Sequence, residues 1–93
     1  MTVLGAPRPS PTRGPASLSY AIAPAEAGRV SLRVYDVAGR MVRTLFDGER
    51  RTGRYDAHWD GADASGAPAR GGIYFARLET AGRRLTQRIV TLR

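Results

Sequence analysis

Val30-Ser31-Leu32-Arg33-Val34-Tyr35-Asp36-Val37-Ala38-Gly39-Arg40-Met41-Val42-Arg43-Thr44-Leu45 decides the fold. Val30, Leu32 and Val34 alternate with Ser31, Arg33 and Tyr35, the period of a strand with one face buried. Val37-Ala38-Gly39-Arg40 supplies a turn, and Gly39 can take a positive φ without steric cost. Met41–Asp47 then returns beside Arg29–Asp36, so the stretch predicts a β-hairpin.

Working outward, the same alternation recurs. Leu18, Tyr20 and Ile22 alternate with small residues from Ser17, and Pro24 ends that strand. Asp47-Gly48 opens a polar loop to Gly53. Arg54–Trp59 places Tyr55, Ala57 and Trp59 on one side. Asp60–Gly71 is a long connection with several glycines and Pro68. Gly72–Glu79 is an aromatic-rich strand, Thr80-Ala81-Gly82 a turn, and Arg83–Leu92 a last strand. No segment carries an i, i+3, i+4, i+7 apolar pattern over three turns. The prediction is all-β: an immunoglobulin-like antiparallel sandwich of about seven short strands, with essentially no helix.

Residues 17–93 form the sandwich domain in this reading. Residues 1–16 hold four of the six prolines and are expected to be an extended, solvated, Pro/Arg-rich lead-in. At 93 residues the chain has room for one core. No stretch reaches the roughly 18–20 apolar residues of a membrane span, and Met1–Ala16 lacks the apolar region of a secretory signal. Any export signal is therefore expected elsewhere in a parent chain, or to be of another type.

The formal charge is +7, and all fifteen basic residues are arginine. Lysine, asparagine and cysteine are absent, which excludes Lys–Asn isopeptide staples, disulfides, cysteine metal sites and a lysine phosphate loop. A coding sequence rich in G and C accounts for the arginine bias. The arginines are spread along the chain, with Arg50-Arg51 and Arg83-Arg84 the adjacent pairs. Tyr20, Tyr35, Tyr55, Tyr74 and Phe75 alternate as core residues do, so neither nucleic-acid nor carbohydrate binding is expected.

Catalytic chemistry finds little purchase. His58 has no Gly-x-Ser-x-Gly elbow near it. Asp36, Asp47, Asp56, Asp60 and Asp63 lie within three residues of glycines, most of them turn glycines, and nothing converges two of them on a pocket. Asp60 and Asp63 are wrongly spaced for a calcium loop, which also needs a later bidentate acid; such aspartates usually bond their own backbone amides. No enzyme, metal or cofactor is expected.

Taken with Trp59-Asp60-Gly61-Ala62-Asp63-Ala64-Ser65-Gly66 and Gly72-Ile73-Tyr74-Phe75, the hairpin motif resembles a known family. The chain from Pro7 to Arg93 looks like the immunoglobulin-like domain of the flagellar hook-capping protein. It resembles still more closely the type A C-terminal sorting domains of type IX secretion. The resemblance implies a non-catalytic C-terminal module of an exported bacterial protein, at the cell surface or outside it. Outer-membrane secretion machinery would recognise its last hairpin. Alternatively, it is an assembly module packing against neighbouring subunits, as in a flagellar cap. Asp36, Gly39, Arg40, Trp59, Asp60, Gly61, Asp63, Gly66, Gly72 and Tyr74 are then fold determinants, and Arg83, Arg84, Arg88 and Arg93 the candidate sorting surface.

Overall fold

The computed structural model describes residues 1–92. It contains seven strands: β1 Val3–Leu4, β2 Ala16–Ile22, β3 Gly28–Asp36, β4 Met41–Arg50, β5 Gly53–Trp59, β6 Gly72–Glu79 and β7 Arg84–Thr91, with one 3-10 turn at Pro24–Glu26. They form two antiparallel sheets, one ordered β1-β2-β5 and the other β4-β3-β6-β7. Both expected hairpins, β3–β4 and β6–β7, lie in the four-stranded sheet and are joined to each other by the pairing of β3 with β6.

The period-two pattern explains the two layers. Val30, Leu32 and Val34 of β3 and Tyr74, Ala76 and Leu78 of β6 point inward, against Leu18, Tyr20 and Ile22 of β2. Trp59 closes one end of this core, fully buried, with Tyr74 meeting it edge-on at a centroid distance of 5.3 Å. Each fully buried Leu, Ile or Val contributes roughly 1.5–3 kcal/mol by leaving water. β4 buries no residue completely; Val42, Leu45 and Phe46 pack against the core half-exposed. It also runs to Arg50, where the sequence suggested a polar loop from Asp47. The continued pairing of Asp47, Gly48, Glu49 and Arg50 with β3 overrides the turn signal of Asp47-Gly48.

The lead-in corrects the sequence reading most. It is not a solvated tether. Val3 and Leu4 pair with Ala21 and Tyr20, and Leu4 joins the core. Arg8 exchanges both backbone hydrogen bonds with Ser17, at 2.9 and 2.8 Å. The chain then crosses to the other sheet, where the Thr12 amide donates to the Val90 carbonyl and the Leu92 amide to the Thr12 carbonyl (2.9 and 2.8 Å). Pro7, Pro9 and Pro11 alternate with the bonding residues Arg8 and Thr12, so the missing amides fall where no ladder needs them.

Candidate interaction surface

The sequence motifs build two copies of one device. In Asp36-Val-Ala-Gly-Arg40, the Asp36 carboxylate accepts from the amides of Ala38 and Arg40, both at 2.9 Å, and its carbonyl accepts from Gly39 at 3.0 Å. In Asp63-Ala-Ser-Gly-Ala67, the Asp63 carboxylate accepts from the amides of Ser65 and Ala67 at 2.9 and 3.1 Å, and its carbonyl from Gly66 at 3.0 Å. In each, the aspartate amide donates back to the fifth residue, Arg40 or Ala67. Gly39 and Gly66 take φ of 82° and 89°, a left-handed geometry that costs other residues strain.

These bonds settle the charge of both acids. The Arg40 amide above all, helped by the Ala38 amide and the Arg40 guanidinium, holds the Asp36 carboxyl below its ordinary range. The Ser65 hydroxyl, with the amides of Ser65, Ala67 and Gly66, does the same for Asp63.

The long connection is fastened to the core by its polar groups. Trp59 Nε1 donates to the Ala62 carbonyl at 2.8 Å, and the Ala69 amide donates to the Gly61 carbonyl at 2.9 Å. Asp60 accepts from the Ala62 amide and from Arg43, which also donates to the Asp63 carbonyl. At the far end the Tyr74 hydroxyl donates to Arg70, and the Gly72 amide to Thr91 Oγ1. A shallow cleft of about 370 Å³ separates the two Asp turns, lined by Asp36, Arg40, Met41 and Val42 facing Asp63, Ala64 and Ser65. The carboxylates beside it are occupied by their own backbone. Among the described residues no cluster of three metal-ligating side chains occurs.

The outer face of the four-stranded sheet carries what the sequence reading misplaced. Tyr35 and Phe75, expected among the core-like aromatics, sit half-buried on the outside, opposite one another across β3 and β6; for Tyr35 that is the face the alternation of Val30, Leu32 and Val34 assigns it. The parity of β3 was legible from its alternation, but which parity of β6 faces inward is set by Tyr74 meeting Trp59, a long-range contact. Arg84 and Arg88 of β7 point outward on this face, Arg84 pairing with Glu79 at 3.6 Å, and Arg83 lies exposed in the β6–β7 turn. Arg93 lies outside the described residues. On the other sheet, Ser17 and His58 are exposed cross-strand partners, Oγ to Nδ1 3.2 Å, a pairing of distant residues that no local motif announces.

A family model described as the FlgD Ig-like domain matches residues 10–83. The chain belongs to the FlgD Ig-like domain family. A search of curated proteins found no significant match. Among solved structures, the dimeric latent PorU of Porphyromonas gingivalis shares the fold, with a TM-score of 0.69 and 19% identity. The alignment covers 99% of this chain and 10% of that one, so this FlgD-like domain corresponds to a small part of a much longer protein. The match from residue 10 takes in the end of the lead-in that bonds to β7.

The sheet edges differ in accessibility. The end of β7 is covered by Thr12, which limits strand addition at the last hairpin. β4 and β5 are the edge strands on the opposite side of the sandwich. There the Arg50 guanidinium packs over the rings of Phe46 and Tyr55, at 3.8 and 4.4 Å from their centroids, and its Nε donates to Tyr20. No helix among the described residues is long and apolar enough to cross a membrane.

Proposed function

We propose that this domain is a non-catalytic module of an exported bacterial protein, serving secretion sorting and cell-surface attachment by docking through the outer surface of its last hairpin. The observation that carries this reading is the placement of charge: Arg77, Arg84 and Arg88 all project from the outer side of β6 and β7, against Glu79 alone. Family membership and the likeness to a small part of PorU support a role as one module of a larger chain. The docking is to protein, by side chains on the sheet face.

The test is to fuse the whole chain to the C-terminus of a periplasmically exported reporter, in a host with type IX secretion, beside the reporter without it. Reporter at the cell surface only with the domain is the expected result. Retention of both in the periplasm would overturn the sorting role. Removing Arg83–Arg93 is not a usable control, because Ile89 and Thr91 are buried and the sandwich would lose a strand. A second reading, an assembly module joining neighbouring copies, draws on β4, a ten-residue edge strand with one side unpaired. Self-association dependent on protein concentration, with no surface delivery, would favour it.

A further inference from the structure

The pairing lets the outer face of the four-stranded sheet be followed rung by rung. One rung holds Glu49 and Arg29; the next Asp47, Ser31, Glu79 and Arg84; the next Thr44, Arg33, Arg77 and Thr86; the next Met41, Tyr35, Phe75 and Arg88; the last Ile73 and Val90. The acids thus lie at one end, where Asp47 takes Arg29 and Arg33 (2.7 and 3.2 Å) and Glu79 takes Arg84. Arg33 and Arg77 stand directly opposite one another, an arrangement that costs stability when both are charged. Arg33 is neutralised by Asp47. Arg77 and Arg88 make no ion pair among the described residues.

Arg77 is held in an unusual state. Its guanidinium lies 4.5 Å from the centroid of the Tyr35 ring, which orients it. Its Nε is shielded from solvent and has no hydrogen-bond acceptor among the described residues. A covered donor without an acceptor is costly, and a guanidinium is best satisfied by a bidentate carboxylate, which from solvent can reach Arg77 only through its two terminal nitrogens. Beside it a depression of about 320 Å³ is lined by Tyr35, Val37, Phe75, Arg77 and Thr86 with the Asp36 turn. Asp36, the one acid at its rim, is committed to its turn amides and Arg40. Val37 and Ile73 near it are 72% and 40% exposed.

We propose that this face binds an acidic segment of a partner protein, one Asp or Glu carboxylate bridging Arg77 with Arg88 beside it, and an adjoining apolar side chain resting on Phe75 and Ile73. Two unpaired arginines are too few for a bilayer, where clusters of about 4–8 basic residues are the usual signature. The apolar half of the site offers nothing to a phosphodiester backbone. The proposal rests on the reading that the last hairpin is the docking surface, and it names the chemistry of what docks there.

The test uses the full chain, labelled with ¹⁵N, titrated with the peptide acetyl-Leu-Glu-Leu-Glu-Leu-amide and with its Gln-for-Glu counterpart. Saturable shifts are expected at the amides of residues 73–77 and 86–90 and at the Arg77 side-chain N–H, with the Gln peptide binding at least about tenfold more weakly. Arg77→Gln and Arg77→Lys should each weaken binding about tenfold, since lysine keeps the charge but not the fork. Arg13→Gln should leave it unchanged. Equal binding of the Gln peptide, wild-type affinity in Arg77→Lys, absent or scattered shifts, or stronger binding to phosphatidylglycerol vesicles or oligothymidylate would each overturn the proposal. Peptide binding without surface delivery of the fused reporter would sink the secretion role alone; delivery without peptide binding would sink this site alone.

Discussion

The two Asp turns and the proline-rich lead-in hold the sandwich together by opposite means. Each turn closes on itself within five residues, through a carboxylate, a backbone carbonyl and a left-handed glycine. The bonds that tie the lead-in to the sheets reach distant chain: Gln87 donates to the Leu4 carbonyl, and Thr12 joins the backbone of Val90 and Leu92. The turns shape single connections. The lead-in ties both sheets together along one side, a task that no local interaction can perform.

The largest expected effect concerns the support beneath the second turn. Trp59→Ala empties the core under the long connection and removes the donor to Ala62, and should cost about 3–5 kcal/mol in urea unfolding. A loss below about 1 kcal/mol would mean that the Asp63 turn stands without the core. On the other side of the comparison, Leu4→Ala should cost roughly 2–3 kcal/mol, since Leu4 is 7% exposed within the core. No change in the urea midpoint would return the lead-in to the status of a tether.

The glycine substitutions sharpen the contrast. A Cβ on Gly39 or Gly66 would meet nothing within 4 Å, so Gly→Ala at either position tests backbone geometry alone. Both should lose about 1–2 kcal/mol, and by similar amounts if the device is local. A much larger loss at Gly66 would show that its turn is strained by the packing beneath it.

Acid acts on the turns and spares the lead-in ladder. Asp36 and Asp63 have folded pKa values below their unfolded ones, so their contribution to stability is complete above the ordinary carboxylate range. It is lost as pH falls through the lowered folded values. The urea midpoint should therefore decline on acidification below about pH 4, and less steeply in Asp36→Asn/Asp63→Asn. An unchanged slope in that variant would place the acid sensitivity elsewhere. Smallest of all, Arg40→Gln should leave the midpoint unmoved, because the Arg40 side chain is 82% exposed and its ion pair with Asp36 is screened by water.

The same contrast explains what the sequence could tell. Asp36, Gly39, Asp63 and Gly66 were legible because their partners lie within four residues of them. The alternation of Val30, Leu32 and Val34 was legible because one buried face repeats every second residue. Val3, Leu4 and Thr12 were not, since their partners lie far along the chain and prolines at alternate positions mimic a linker. The parity of β6 escaped for a related reason. Gly-Ile-Tyr-Phe is apolar on both faces, and the contact of Tyr74 with Trp59 turns Phe75 outward, beside Arg77. That outward parity gives the hairpin an aromatic and basic outer face as well as an inner face that walls the core.

The most direct measurement is surface delivery of a reporter carrying the whole domain, compared with one carrying Arg77→Gln/Arg88→Gln, the urea midpoints of both domains being determined alongside. The account predicts that the variant, freed of the Arg33–Arg77 opposition, keeps at least the wild-type midpoint and leaves the reporter in the periplasm. Equal delivery by a variant of equal stability would contradict it, and would move the working surface away from this face.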